Sequence, residues 1–263
     1  MQAPSIEPNP RVTYKLRFRD EHMLVLEKPA GVVTQPGVGH QHDTLLNGLF
    51  HEFGPQLQQL GQARDFGLVH RLDKETSGLL AVALTAPAYD ALREQFAARG
   101  VRKFYWAVCG KAPKEPEGVI RKPIEEETRR TSRYTSVKIA RLTPAGKPAV
   151  TAYRVLDATP LGALIEARPV TGRLHQVRVH LASIGAAIFA GEVYARKTLQ
   201  GAAHRLALHA HRLVVEHPVS GEEIDVRTPW PRDLRALLKR LGLKRPDVEA
   251  PRGGAEDAGG EEE

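Results

Sequence analysis

Two periods of apolar and polar positions alternate along this chain, and the switches between them mark its elements. Strand-like runs cover residues 14–18, 23–27, 79–84, 104–109, 151–156, 163–168 and 212–216. Their apolar residues are too dense or too regularly alternating for exposed loops. Helical spacing appears between them. Asp43 or Thr44 is placed to cap a helix carrying Leu45, Leu46, Leu49, Phe50 and Phe53 on one face. Thr85 followed by Pro87 opens a second, with Tyr89, Leu92 and Phe96 inward and Gly100 as its stop. Thr171 is expected to cap a third, with Leu174, Val177, Leu181 and Ile184 on one stripe and Gly185 ending it. A last helix is predicted over residues 233–241, with Gly242 as its stop. Strands and helices interleave without a regular βαβ period. That predicts an α+β fold, a single domain with a mixed, mainly antiparallel β-sheet flanked by helices and loops. No internal repeat is visible, nor any linker between Arg11 and Lys244.

Composition narrows the setting. With 263 residues, 41% of them hydrophobic, the chain can build a substantial core. A single cysteine, Cys109, excludes an intrachain disulfide framework and a cysteine-based zinc site. Residues 1–10 lack the basic and apolar regions of a signal peptide, and no apolar run approaches membrane-spanning length. A soluble, reducing, cytoplasmic setting without membrane contact is expected. The formal net charge is +7, but residues 246–263 hold seven acids against one base, which puts −6 on that segment and +13 on residues 1–245. An excess of this size is the electrostatic footprint of a polyanion binder. The acidic, Gly-rich segment 246–263 is expected to be disordered.

Candidate chemistry concentrates at residues 67–78, Gly-Leu-Val-His-Arg-Leu-Asp-Lys-Glu-Thr-Ser-Gly. Residues 67–72 read as a half-buried strand and Thr76-Ser77-Gly78 as a turn. Alternation along a strand puts Arg71 and Asp73 on one face. A neighbouring cation favours an ionised carboxylate, ready to attack or to take a proton. A loop Asp accepting backbone hydrogen bonds is the plainer alternative. From these residues alone, both readings stand.

The string His70-Arg71-Leu72-Asp73 followed by Thr76-Ser77-Gly78 resembles the active-site motif of the RluA family of RNA pseudouridine synthases. Five further segments resemble that family's in order: Lys28-Pro29-Ala30-Gly31, residues 103–107 (Lys-Phe-Tyr-Trp-Ala), Gly146-Lys147-Pro148-Ala149 leading to Thr151 and Tyr153, residues 171–180 (Thr-Gly-Arg-Leu-His-Gln-Val-Arg-Val-His), and Leu208-His209-Ala210 with His217-Pro218. The likeness runs from about Arg17 to Pro231. Two departures stand out. Where the family has Pro-Ile-x-Gly-Asp-x-x-Tyr, residues 187–194 read Ala-Ile-Phe-Ala-Gly-Glu-Val-Tyr, so the family's Asp falls on Gly191. The family's Asn before Lys-Pro is Glu27.

The resemblance implies an isomerase that converts uridine to pseudouridine within structured RNA, ribosomal or transfer. It implies a catalytic domain over residues 1–245 without a separate N-terminal RNA-binding domain, acting without cofactor or metal and as a monomer. Asp73 would be the catalytic carboxylate, attacking the ribose or abstracting its 2′ proton. Arg71 would fill the gap left by a flipped uridine, Tyr105 would stack on the uracil, and Arg178 would pair with Asp73. The chain carries no dinucleotide fingerprint, Gly-rich phosphate loop or Cys–His metal set. Arg121, Lys122, Arg129, Arg130, Arg133, Lys138 and Arg141 suggest an exposed hairpin that grips phosphates. Two other classes remain: a noncatalytic RNA-binding module on the same fold, and a metal-dependent hydrolase using Asp73 with His204, His209 and His211.

Overall fold

Thr44 starts the first helix by local chemistry. In the computed structural model, which describes residues 6–130, 136–191, 193–195 and 197–246, its side chain accepts the Asn47 N–H while the Asn47 side chain accepts the Thr44 N–H. This reciprocal cap satisfies two otherwise unpaired donors. The helices are α1 (Leu45–Leu60), α2 (Ala86–Ala97), α3 (Gln176–Ser183), α4 (Lys197–Gln200) and α5 (Arg235–Leu241). The strands are β1 (Lys15–Arg19), β2 (Met23–Lys28), β3 (Ser77–Ala83), β4 (Arg102–Cys109), β5 (Glu117–Arg121), β6 (Ile124–Arg130), β7 (Ser136–Leu142), β8 (Val150–Thr159), β9 (Gly162–Pro169), β10 (Leu208–Glu216) and β11 (Glu223–Arg227). Arg133 and residues 247–263 lie outside the described residues.

Nine strands form one sheet in the order β1-β2-β3-β10-β4-β9-β8-β5, with β11 paired to β10. Every pairing is antiparallel except β3 with β10. The α+β fold with a mixed, mainly antiparallel sheet is the one the sequence predicts. The parallel contact is short, joining Ser77 and Gly78 to His209 and Ala210. Gly78 makes it possible. Its φ is +119°, and a Cβ there would lie 2.2 Å from the Ala210 carbonyl oxygen. Any side chain would force the two central strands apart.

Every residue of β3 is buried. The main core gathers β2, β3, β4, β9 and β10 with α1, α2 and α5. β6 and β7 form a separate hairpin. A small second cluster of Ile124, Ala140, Ala149 and Val179, with Tyr194 packed against it, seats that hairpin on α3. The hairpin is where the sequence placed it, but its charge is mixed. Glu125, Glu126 and Glu127 are exposed on β6, and Glu125 stands opposite Arg141. The cations free of facing acids, Arg129, Arg130 and Lys138, sit toward the tip.

Two expectations need correction. Residues 67–72 are not a strand. A 3-10 helix covers Gln62–Gly67, and past it Leu68 alone bridges to Val82. The apolar run is buried as its pattern implies, but its backbone groups bond to side chains. Arg93 donates to the Val69 carbonyl at 3.0 Å, and Thr34 Oγ1 donates to the Leu72 carbonyl at 2.7 Å and accepts its N–H. The third helix begins at Gln176, not after Thr171. Thr171 Oγ1 accepts the Val150 N–H and donates to Gln176 Oε1, which also accepts the Arg173 N–H, so residues 171–175 are held as a loop. Among the described residues, no helix is long and apolar enough to cross a membrane.

Candidate active site

The loop before β3 is fixed by side chains that replace a missing strand. Beyond Gly78, β10 no longer pairs with β3. The Ala81 N–H donates instead to His70 Nε2 at 2.9 Å. The His70 ring stacks on Phe96 at 4.7 Å. Burial pushes its pKa down to about 3, and an accepting Nε2 agrees with a neutral ring. From the end of β2, fully buried Lys28 points its ammonium into the same loop. Its Nζ donates to the carbonyls of Pro29 (2.8 Å), Val32 (2.7 Å) and Lys74 (3.2 Å). Burial lowers the Lys28 pKa to about 7, against the opposing charges of Asp73 and Glu75. The Gly31 N–H also reaches the Lys74 carbonyl, and the Thr76 N–H reaches that of Asp73.

Held between these anchors, the Asp73 side chain is 23% exposed at the floor of a cleft of about 1010 Å³. Arg178 Nη1 lies 3.6 Å from Asp73 Oδ2 and His175 Nε2 lies 3.9 Å from it. Both exceed hydrogen-bond length, so the carboxylate is flanked by a cation without being capped. Arg178 is itself nearly buried, and its Nε has no hydrogen-bond partner. Its guanidinium lies over the Tyr194 ring, 5.3 Å from the centre. Tyr105 lines the same cleft from β4. Burial and the Asp73 charge raise its pKa, so it stays a neutral phenol. The cleft therefore brings together Asp73, Tyr105 and Arg178 as the sequence suggested. Arg71 lines it too, as an exposed side chain. The cation in ion-pair reach of Asp73 is Arg178 from α3; an Arg71 pair on a shared strand face is not formed.

Further cations line the cleft: Arg93, Arg99, Lys103, Lys138 and Arg173. Burial lowers the Lys103 pKa to about 8. Such a wall suits a polyanion.

Sequence reasoning missed three contributors. Lys28 was read as part of a motif without a role. His175 stood within the quoted 171–180 segment without a role; burial first, and the Arg178 and Arg71 charges after it, lower its pKa to about 4 against the pull of Asp73. Tyr194 was noted only for the departure beside it. The signal for all three lay in the quoted motifs, whose residues now divide by task. Gln176 donates to Val150 and Thr151, and His180 bonds to Thr151 and the Lys122 carbonyl at the base of the hairpin, while Arg178 and His175 face Asp73. The other histidines sit elsewhere. His209 is buried between Ser77 and Thr228, and His211 stacks on Trp106 at 3.8 Å. Among the described residues, no cluster of three or more His, Cys, Asp or Glu is placed to hold a metal ion.

Comparison with known proteins bears on the same segments. A family model described as RNA pseudouridylate synthase matches residues 22–183. The ribosomal large subunit pseudouridine synthase D of Zymomonas mobilis is 38% identical over 237 residues, covering 88% of this chain and 73% of that protein. The protein of the same name from Nitrosomonas europaea is 40% identical, covering 88% of this chain and 66% of its own length. Among solved structures, human RNA pseudouridylate synthase domain containing 4 superposes with a TM-score of 0.68 at 27% identity, covering 89% of this chain and 95% of that one.

Proposed function

The chain belongs to the RNA pseudouridylate synthase family, and from that premise we propose that it isomerises uridines of large-subunit ribosomal RNA with Asp73 as the catalytic carboxylate. Identity of 38–40% to named synthases over most of the chain favours the catalytic reading over a noncatalytic module on the same fold. The observation that carries the assignment is the Asp73 carboxylate, uncapped at the floor of a basic cleft with Arg178 3.6 Å away.

The reaction breaks the glycosidic bond, turns the detached uracil and rejoins it through carbon 5. Asp73 either attacks the ribose or removes its 2′ proton, and both routes need an ionised carboxylate with free lone pairs. Arg178 sets a positive charge 3.6 Å from Asp73 Oδ2 without occupying its lone pairs. A stacked uridine cannot reach the cleft floor, so it must be flipped out, at a cost of a few kcal/mol. Tyr105 offers the uracil an aromatic face, and base–aromatic stacking contributes about 1–3 kcal/mol. Arg71 would occupy the gap left in the RNA, a role supported by its exposure at the cleft. Action on ribosomal RNA fits a cytoplasmic protein. Asp73, Tyr105 and Arg178 all come from one chain, which fits action as a monomer.

Asp73→Asn tests the reading. Pseudouridine formation should be abolished while RNA binding survives, measured by pseudouridine mapping and by filter binding on the same RNA. Turnover retained in that variant removes Asp73 from the chemistry. Modification found in transfer RNA and absent from large-subunit RNA would overturn the substrate assignment.

A further inference from the structure

His175 holds its ring beside Asp73 at a backbone cost. Its φ is +50° and ψ +21°, the left-handed region that side chains rarely occupy, and it sits at the N-cap of α3 without making a side-chain cap. Strain of this kind tends to persist where it sets functional geometry. The ring contacts two groups. Nε2 faces Asp73 Oδ2 at 3.9 Å, and Nδ1 lies 2.9 Å from the Tyr194 hydroxyl. That hydroxyl also accepts the Ala140 N–H at 2.7 Å. With one proton to give and its oxygen already accepting, Tyr194 donates to Nδ1. The imidazole proton is thereby placed on Nε2, the nitrogen facing the carboxylate.

Tyr194 touches the other flank of Asp73 as well, since the Arg178 guanidinium lies over its ring. Ala140 belongs to β7, and the small apolar cluster beneath the hairpin includes Ala140, with Tyr194 packed against it, and Val179 of α3. Lys138, two residues before Ala140, lines the cleft.

We propose that Tyr194 and His175 are positioning residues for the reaction. Tyr194 fixes the tautomer of His175 and the seat of Arg178, and so ties both groups flanking Asp73 to the hairpin β6–β7. The inference rests on Asp73 being the catalytic carboxylate. Its consequence is that seating the hairpin on RNA and aiming the carboxylate are linked through one hydroxyl.

Two variants and one spectrum test it. Tyr194→Phe keeps the ring under Arg178 and removes the hydroxyl. Partners that orient a reactive group are typically worth about 10–100-fold in activity, so kcat should fall by that order while KM for RNA stays within about twofold. His175→Asn suits the left-handed backbone, so it should lower kcat similarly without lowering Tm. In the wild type, imidazole ¹⁵N shifts, assigned to His175 by comparison with His175→Asn, should show a neutral ring protonated on Nε2. Tyr194→Phe should shift that ring toward the other tautomer. Unchanged kcat in either variant, a wild-type proton on Nδ1, or a loss seen wholly in KM overturns the proposal. If Tyr194→Phe folds poorly, the wild-type spectrum and His175→Asn still decide it. Asp73→Asn run alongside separates the two levels: turnover there defeats the catalytic assignment, whereas a dead Asp73→Asn with a fully active His175→Asn defeats only this inference.

Discussion

Lys28→Met isolates the cost of burying a charge under the catalytic loop. Lys28 is fully buried, and its pKa falls from 10.5 to about 7, chiefly by desolvation. The unfolded chain keeps its ordinary value, so between pH 7 and 10.5 the unfolded state binds more protons at this site. The contribution of this site to stability must then rise with pH across that window. Below pH 7 both states are charged and the burial penalty is complete, roughly 5 kcal/mol from the span between the two pKa values. Above pH 10.5 it is gone. Met relieves the penalty but strands the carbonyls of Pro29 and Val32, at about 1–3 kcal/mol each. The Lys74 carbonyl keeps its bond from the Gly31 N–H. The two terms are of similar size, so stability at pH 7 should change little. The discriminating quantity is the difference between wild type and variant, which should move in favour of the wild type by roughly 1 kcal/mol per pH unit above 7. Lys103, with its own lowered pKa of about 8, is common to both proteins and cancels. Urea denaturation from pH 7 to 10, followed by fluorescence of Trp106 and Trp230, measures it. A difference independent of pH would refute the reasoning.

Gly78→Ala should destabilise the protein by about 3 kcal/mol, because a Cβ meets the Ala210 backbone at 2.2 Å and the backbone is left-handed there; calorimetry should show Tm falling by roughly 6–12 °C, and a fall under 2 °C would mean that β3 and β10 are not locked together. RNA affinity should drop on the order of 10²-fold between 50 and 200 mM salt if the cations lining the cleft engage phosphates; filter binding over that range checks it, and a flat response would remove the cleft wall from RNA contact.

The parts of this structure legible in the sequence are those where the signal is local. The Thr44 cap, the Thr85–Pro87 start and the Gly242 stop of α5 each lie within one turn of the residues they organise. Asp73, Tyr105 and Arg178 were found through motifs, and the cleft joins them. The misreadings share a cause. Residues 67–72 carry a strand's apolar pattern, yet their backbone partners are side chains of Thr34 and Arg93, which no window of the sequence reveals. Thr171 has a capping side chain spent on Val150 and Gln176. His175 faces Asp73 from a backbone of positive φ, and its ring bonds a phenol nineteen residues later, which no window of the sequence reveals. The hairpin's acids were visible but passed over, since the basic residues were counted without their cross-strand partners.

Backbone strain follows the same division between scaffold and site. Among the described residues, the non-glycine positions with positive φ are Asp65, Phe66, Arg99, His175 and Ala190. None lies in a β-strand of the sheet. Asp65, Arg99 and His175 line the cleft, and Ala190 sits four residues before Tyr194, where the family pattern has glycine. An alanine in the left-handed region costs about 1 kcal/mol. A fold free to relax would shed such costs first in its connections, where substitution is tolerated. Here they sit in connections, three of them along the cleft, and one of those, His175, faces the carboxylate. The sheet, relaxed and buried, supplies the stability; the connections and α3 spend a part of it on holding Asp73, His175 and Arg178 at separations too long to bond and short enough to act.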